Sequence, residues 1–129
     1  METMTLDRSS FLRRALWADA ATCLPMGALL ALAAGPLAKL LALPEPLLFW
    51  AGIALFPCAA FMAWLACQGR VSVPGAWLVI LGNAAWIAGS VLVLALLAPN
   101  AFGTVFVIGQ AIVVAVLAAL EHTGLRRIG

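Results

Sequence analysis

Polar side chains inside long apolar stretches are the residues of this sequence best suited to chemistry. Asp19 and Glu121 are carboxyl groups that can hold a proton or a cation, and the amide of Asn83 can donate to two acceptors. A buried ionisable group costs free energy, so it has either a partner or a function. These three residues therefore form the centre of a candidate site.

Three further polar residues lie on the same helical faces. Trp86 and Ser90 follow Asn83 at i+3 and i+7, and Gln110 precedes Glu121 by about three helical turns. We expect these side chains to turn inward as one intramembrane polar cluster, which consists of Asp19, Asn83, Trp86, Ser90, Gln110 and Glu121. Two roles stay open for this cluster: binding a ligand or proton, and hydrogen bonding between helices, which contributes ~0.6 kcal/mol per bond.

Other catalytic or cofactor patterns are missing from the sequence. Cys23, Cys58 and Cys67 form no CxxC pair, and we expect them to behave as small apolar residues. His122 is the only histidine, which excludes a haem held by two histidines of one chain. No phosphate-binding loop, dinucleotide fingerprint or HExxH motif is present. The sequence predicts a protein that is not an enzyme and that has neither a cofactor nor a catalytic metal.

Composition determines which elements carry the polar cluster. The chain has 129 residues, of which 66% are hydrophobic and 9% charged, and its mean hydropathy is +1.15. A soluble domain is about half apolar and about one-quarter charged, and a disordered chain needs low hydrophobicity and high charge. The sequence therefore predicts a single integral membrane domain over residues 1–129.

The spacing of charged residues predicts four crossings. The charge-free stretches after Asp19 and after Glu45 each suit one helix, which needs about 20 residues to cross a bilayer. The stretch from Arg70 to Glu121 would be ~75 Å long as one helix, and Pro and Gly interrupt it in the segment 98–103. We predict an all-α fold, a four-helix transmembrane bundle with short loops, with spans at about 16–34, 47–66, 73–97 and 104–122.

Proline positions predict two further features. The short apolar segment between Pro36 and Pro44 is expected to form a helical turn or two at the membrane interface. Pro25 and Pro57 lie inside the first two spans, where each removes a hydrogen bond and should kink its helix.

The distribution of basic residues predicts the orientation. Of the seven Lys and Arg residues, only Lys39 lies on the far side of the predicted bundle; the others are Arg8, Arg13, Arg14, Arg70, Arg126 and Arg127. The positive-inside rule therefore predicts that both termini lie in the cytoplasm. A cleaved signal peptide ending near Ala33 is the alternative for the first span, and Asp19 and Pro25 in its apolar run argue against cleavage. The net charge of +2 suits anionic lipids rather than nucleic acid.

Three short segments carry a resemblance to known sequences: Phe11–Leu16 (FLRRAL), Gly82–Trp86 (GNAAW) and Glu121–Arg127 (EHTGLRR). With them, the chain resembles a group of uncharacterised four-span bacterial inner-membrane proteins, a resemblance that implies location and architecture but no activity. In size and span number the chain is also similar to small multidrug resistance transporters, which carry an acid in their first helix. Here that acid is Asp19 rather than Glu, and the surrounding motifs differ.

Small residues repeat at four-residue spacing in three spans, which lets helix backbones approach closely. These stripes are Gly27, Ala31, Gly35; Ala59, Ala63, Cys67; and Ala111, Ala115, Ala119. They favour a structural or accessory protein that packs with itself or with a larger membrane complex. The alternatives are a small-molecule or proton-coupled carrier, and a bundle that binds a lipid or quinone; both would use the polar cluster.

Overall fold

The computed structural model describes the backbone of residues 2–68 and 71–128 and the side chains of residues 10–68 and 71–126. Within these ranges the chain forms five helices and no strand. The helices are α1 (Glu2–Leu32), α2 (Ala34–Leu41), α3 (Glu45–Ala66), α4 (Val73–Leu97) and α5 (Ala101–Ile128). The side chains of Arg8, Arg70 and Arg127, which contribute to the predicted orientation, lie outside the described residues.

Four of these helices are long and apolar enough to cross a membrane, which confirms the all-α fold with four candidate spans. The spans are Ser10–Leu32, Glu45–Ala66, Val73–Leu97 and Ala101–Arg126. The third has the predicted bounds, and the other three begin earlier than predicted. The difference arises because the helices continue through polar residues at their ends, such as Arg13 and Glu45. The prediction from charge spacing places these residues outside the spans.

The predicted interfacial segment is helix α2, which packs against α3 and α5. The residue after its last one, Ala42, has a left-handed backbone with a φ of 56°. The Asn100 side-chain amide donates to the Leu40 carbonyl at 2.8 Å, and its oxygen accepts from the Gly103 N–H at 2.8 Å. One side chain therefore joins the end of α2 to the first turn of α5.

Helix ends and prolines follow local rules. Ser72 caps α4 by accepting from the Gly75 N–H at 3.2 Å, and Ala98, the residue after α4, has a left-handed backbone with a φ of 43°. Helices α1 and α3 continue past Pro25 and Pro57 without a break in assignment. The kinks at these two prolines stay a prediction.

The four spans pack in the order α3, α1, α5, α4. Helix α1 contacts both α3 and α5, and α4 packs mainly on α5. Helices α3 and α4 meet only near the loop that joins them, where Gly75 lies against the Leu65 side chain. The backbones of α1 and α4 are too far apart to pack. The bundle is therefore open along one side, between α3 and α4.

Two glycines allow a close crossing between α1 and α3. A Cβ atom added to Gly52 would lie 2.6 Å from the Ala31 nitrogen and 2.8 Å from the Gly27 carbonyl oxygen. Both neighbours are backbone atoms, so they cannot move aside as a side chain would. Gly27 and Ala31 of the first small-residue stripe thus face α3. Their neighbour there is Gly52, which belongs to none of the three stripes.

Replacing Gly52 by alanine should weaken the α1–α3 crossing. We expect Gly52→Ala to reduce the free energy of unfolding by about 1–3 kcal/mol, because the added methyl forces the two backbones apart. Thermal unfolding of the protein in detergent micelles measures the effect.

Gly109→Ala is the matched control, because nothing lies within 4 Å of a Cβ at Gly109. This variant should be neutral, or more stable by at most about 1 kcal/mol. Equal unfolding temperatures for the two variants would contradict the close crossing.

Candidate functional site

A hydrogen-bonded group of two carboxyls and one amide lies inside the bundle. The Asn83 Nδ2 atom on α4 donates to Asp19 Oδ2 on α1 at 2.9 Å and to Glu121 Oε1 on α5 at 2.8 Å. The exposed fractions of the side chains are 2% for Asp19, 8% for Asn83 and 0% for Glu121. We call these three residues the carboxyl site.

The carboxyl site has few other partners among the described residues. The Cys23 thiol, one turn after Asp19, lies 3.6 Å from Asp19 Oδ1 as a weak donor. Asp19 Oδ2 and Glu121 Oε1 accept from the same Asn83 nitrogen, and the buried Glu121 Oε2 atom has no hydrogen-bond partner among the described residues. Among the described residues, no Arg, Lys or His forms an ion pair with either carboxyl. Asn83 is thus the donor to Glu121, and Arg126 is exposed.

Trp86, Ser90 and Gln110 form a second hydrogen-bonded group, which we call the amide site. The Trp86 Nε1–H donates to Gln110 Oε1 at 2.6 Å, and Gln110 Nε2 donates to Ser90 Oγ at 2.8 Å and to the Val107 carbonyl. Ser90 in turn donates to the Trp86 carbonyl at 2.9 Å. These bonds join α4 to α5 only.

The six candidate residues thus form two groups rather than one. Asp19, Asn83 and Glu121 meet across three helices, and Trp86, Ser90 and Gln110 meet across two. No hydrogen bond between the described side chains joins the two groups. The two groups are separate because Asn83 and Ser90 lie about 10 Å apart along the axis of α4.

The open side of the bundle contains a groove next to the carboxyl site. The groove has a volume of about 440 Å³, within the range of ligand pockets, and all four spans line it. Its wall is largely apolar and includes Met26 and Phe61, while Asp19 and Asn83 supply polar atoms. Glu121 does not line this groove, so it lies behind the two residues that do.

A second cavity of about 390 Å³ continues from the first toward α2. It is lined mainly by apolar residues, among them Leu30, Leu47, Leu48, Val93, Phe106 and Val107. Four residues line both cavities: Met26, Gly82, Trp86 and Gln110. The amide site therefore lies where the two cavities meet.

Several groove residues were not predicted from the sequence. Cys23 and Cys58, expected to be simple apolar residues, both line the groove, and Cys23 contacts Asp19. The i+4 spacing from Asp19 to Cys23 was a signal available in the sequence. Thr22, at i+3 from Asp19, donates to the Ala18 carbonyl of its own helix and does not join the carboxyl site. Among the described residues, no group of three His, Cys, Asp or Glu side chains could hold a metal ion.

Comparisons with known proteins found no relative. No protein-family model, no curated protein and no solved structure matches this chain. The resemblance to uncharacterised four-span proteins therefore stays a prediction, and the function has to be argued from the geometry.

Removing the Asn83 amide should strongly destabilise the bundle. We expect Asn83→Leu to reduce the free energy of unfolding by at least about 2 kcal/mol, because two buried carboxyls lose their shared donor. Thermal or denaturant unfolding in micelles measures this loss.

The triple variant Asp19→Leu, Asn83→Leu, Glu121→Met is the matched comparison. It replaces the whole carboxyl site by apolar side chains of similar size, so its stability should equal or exceed that of the wild type. A triple variant less stable than Asn83→Leu would contradict the expectation that the buried carboxyl site lowers the stability of the fold.

Proposed function

We propose that this chain is a non-enzymatic integral membrane protein that binds a lipid-soluble molecule in the groove between α3 and α4. The observation that carries the proposal is a carboxyl site, buried and without a cation among the described residues, on the wall of an otherwise apolar groove. An apolar pocket with a few convergent polar groups is the common form of a small-molecule site.

The cost of the arrangement supports a binding role over a purely structural one. A bundle that only packs is more stable with an apolar core than with buried carboxyls, and it gains by filling a cavity. In this bundle the buried carboxyls and the unfilled groove, each of which lowers stability, lie next to each other. A binding role accounts for both, because the groove holds the apolar part of the molecule and Asp19 and Asn83 hold its polar end.

The open side of the groove indicates how a molecule would enter. Leu78 and Gly82 on α4 and Pro57 and Cys58 on α3 line the groove and are exposed. In a bilayer these exposed residues face lipid, so entry from the hydrocarbon layer requires no helix to move. Transport across the bilayer, as a small-molecule or proton-coupled carrier, is an extension of the same binding role.

A structural or accessory role is the second candidate. Ala115 and Ala119 of the third small-residue stripe are exposed on α5, where a second copy or another membrane protein could pack closely. In both cases we propose a bacterial inner membrane as the location and cytoplasmic termini as the orientation, and the positions of Arg13, Arg14 and Arg126 support the orientation.

A bulky side chain at Gly82 should prevent a molecule from binding in the groove. Gly82 lines both cavities, and a Cβ there has nothing within 4 Å, so Gly82→Trp fills the groove without a clash at its base. We expect intact-mass spectra of the protein, released from membranes in mild detergent, to show a bound small molecule with the wild type and not with Gly82→Trp.

Gly109→Trp serves as the control, because Gly109 also has open space around it and lines neither cavity. It should keep the bound molecule. Retention of the same adduct by Gly82→Trp would contradict binding in the groove, and a wild type that carries no small molecule but forms defined oligomers would favour the structural role.

A further inference from the structure

We propose that the groove selects a molecule that donates a hydrogen bond, so that its ligand is a neutral alcohol with an apolar body rather than a ketone or a quinone. This inference rests on the proposed function and deepens it, because it names the ligand class. The observation behind it is an imbalance on the groove wall. The amide hydrogens there are bonded within the protein, while the oxygen of one amide has no partner.

The first step concerns the N–H donors on the groove wall. Asn83 Nδ2 uses its two hydrogens on the two carboxyls of the carboxyl site. The Trp86 Nε1–H donates to Gln110 Oε1, and Gln110 Nε2 uses its two hydrogens on Ser90 Oγ and the Val107 carbonyl. Every side-chain N–H of Asn83, Trp86 and Gln110 therefore has an acceptor within the protein.

The hydroxyls and thiols of the two cavities add no strong donor. Thr22 and Ser90 each donate to a backbone carbonyl of their own helix. The Cys23 thiol lies against Asp19 Oδ1, and the other oxygen of Asp19 accepts from the Asn83 amide. Among the described residues that line the cavities, the remaining donor is the thiol of Cys58, which is a weak one.

The second step identifies the acceptor that a ligand can reach. The orientation of the Asn83 amide is fixed, because its nitrogen faces the carboxyl oxygens that accept from it. Its Oδ1 atom has no hydrogen-bond partner among the described residues, and an amide oxygen can accept two hydrogen bonds. In the described part of the chain, Glu121 Oε2 is the enclosed side-chain atom without a partner, so Asn83 Oδ1 is not enclosed. Asn83 lines the groove and is only 8% exposed, so its oxygen opens into the groove.

A second amide oxygen lies further along the groove. Gln110 Oε1 accepts from Trp86 and retains one lone pair, and both residues line the two cavities. The polar atoms that the amides offer to a ligand are therefore acceptors.

The third step is the chemistry of the ligand. The oxygen of a ketone or quinone only accepts, so it would find no strong donor on the wall and would leave Asn83 Oδ1 unpaired. A hydroxyl donates to that oxygen. Because a hydroxyl is neutral, it also enters from the hydrocarbon layer at a lower cost than an ionised group. The apolar walls of the two cavities then hold the body of the molecule.

Two probes with the same carbon skeleton test the selection. 2-Dodecanol can donate a hydrogen bond, and 2-dodecanone can only accept one. Binding of the radiolabelled probes to the full chain is measured in nanodiscs of zwitterionic lipid, and empty nanodiscs give the uptake into lipid alone. We expect the wild type to prefer the alcohol by at least about fivefold, the effect of one net hydrogen bond.

Replacing Gln110 should weaken this preference. Gln110→Met removes the acceptor of the Trp86 N–H, which places an unused donor on the groove wall. We expect tighter binding of the ketone, so that the preference for the alcohol falls by at least about fivefold. Ile112→Met is the matched control, because Ile112 is exposed and lines neither cavity; it should keep the wild-type preference. An unchanged preference in a folded Gln110→Met protein would contradict the account of the donors.

Solid-state NMR assigns the contact to one oxygen without a variant. The sequence contains two asparagines, Asn83 and Asn100, so labelling the side-chain carbonyl carbon of asparagine gives two signals. We expect 2-dodecanol to shift the Asn83 signal and 2-dodecanone to leave it in place. Asn100 lines neither cavity, and its oxygen already accepts from the Gly103 N–H, so its signal is the internal control.

The outcomes separate this inference from the proposed function. If the wild type binds both probes equally or prefers the ketone, and Gly82→Trp abolishes that binding, the alcohol inference is overturned and the groove function stands. An Asn83 signal that does not respond to the alcohol would overturn the choice of its oxygen as the acceptor. Binding of neither probe, or binding that Gly82→Trp leaves unchanged, would count against both the inference and the proposed function.

Discussion

The bridge that Asn83 makes between two carboxyls is the interaction on which the rest of the arrangement depends. It includes a side-chain hydrogen bond between α1 and α4, whose backbones do not pack on each other. The same amide binds α5, so one residue fixes the relative position of three helices. In hydrocarbon no water can replace these bonds, which makes the bridge a strong constraint on the bundle.

The position of the bridge explains why the groove has its shape. Helix α4 packs mainly on α5 and hydrogen-bonds to Asp19 of α1 through the Asn83 side chain, while α3 packs on α1. The space between α3 and α4 is therefore left open except near their connecting loop. Polar atoms occur on the groove wall at the carboxyl site and again where the amide site separates the two cavities. Elsewhere the lining of the two cavities is largely apolar.

Sequence reasoning gave the spans and the inward direction of the polar residues, but not their partners. Charge spacing predicts four spans because a charge inside hydrocarbon is costly, and the same cost predicts that Asp19, Asn83 and Glu121 turn inward. Helical periodicity specifies a face but not which helix lies opposite, so it cannot separate the carboxyl site from the amide site. The order α3, α1, α5, α4 depends on contacts such as Gly52 against Gly27, which involve single glycines on different helices and no repeat within one of them. Because the groove is a consequence of that order, it was not predictable from the sequence.

The central claim is that the Asn83 amide joins α1 and α5 by bridging Asp19 and Glu121 inside the bundle. Solid-state NMR of the labelled protein in lipid tests it directly, because dipolar couplings report which carboxyl carbons lie next to the Asn83 side-chain nitrogen. The account predicts couplings from this nitrogen to the carboxyl carbons of both Asp19 and Glu121. A nitrogen that couples to neither carboxyl carbon, or to only one of them, would contradict it.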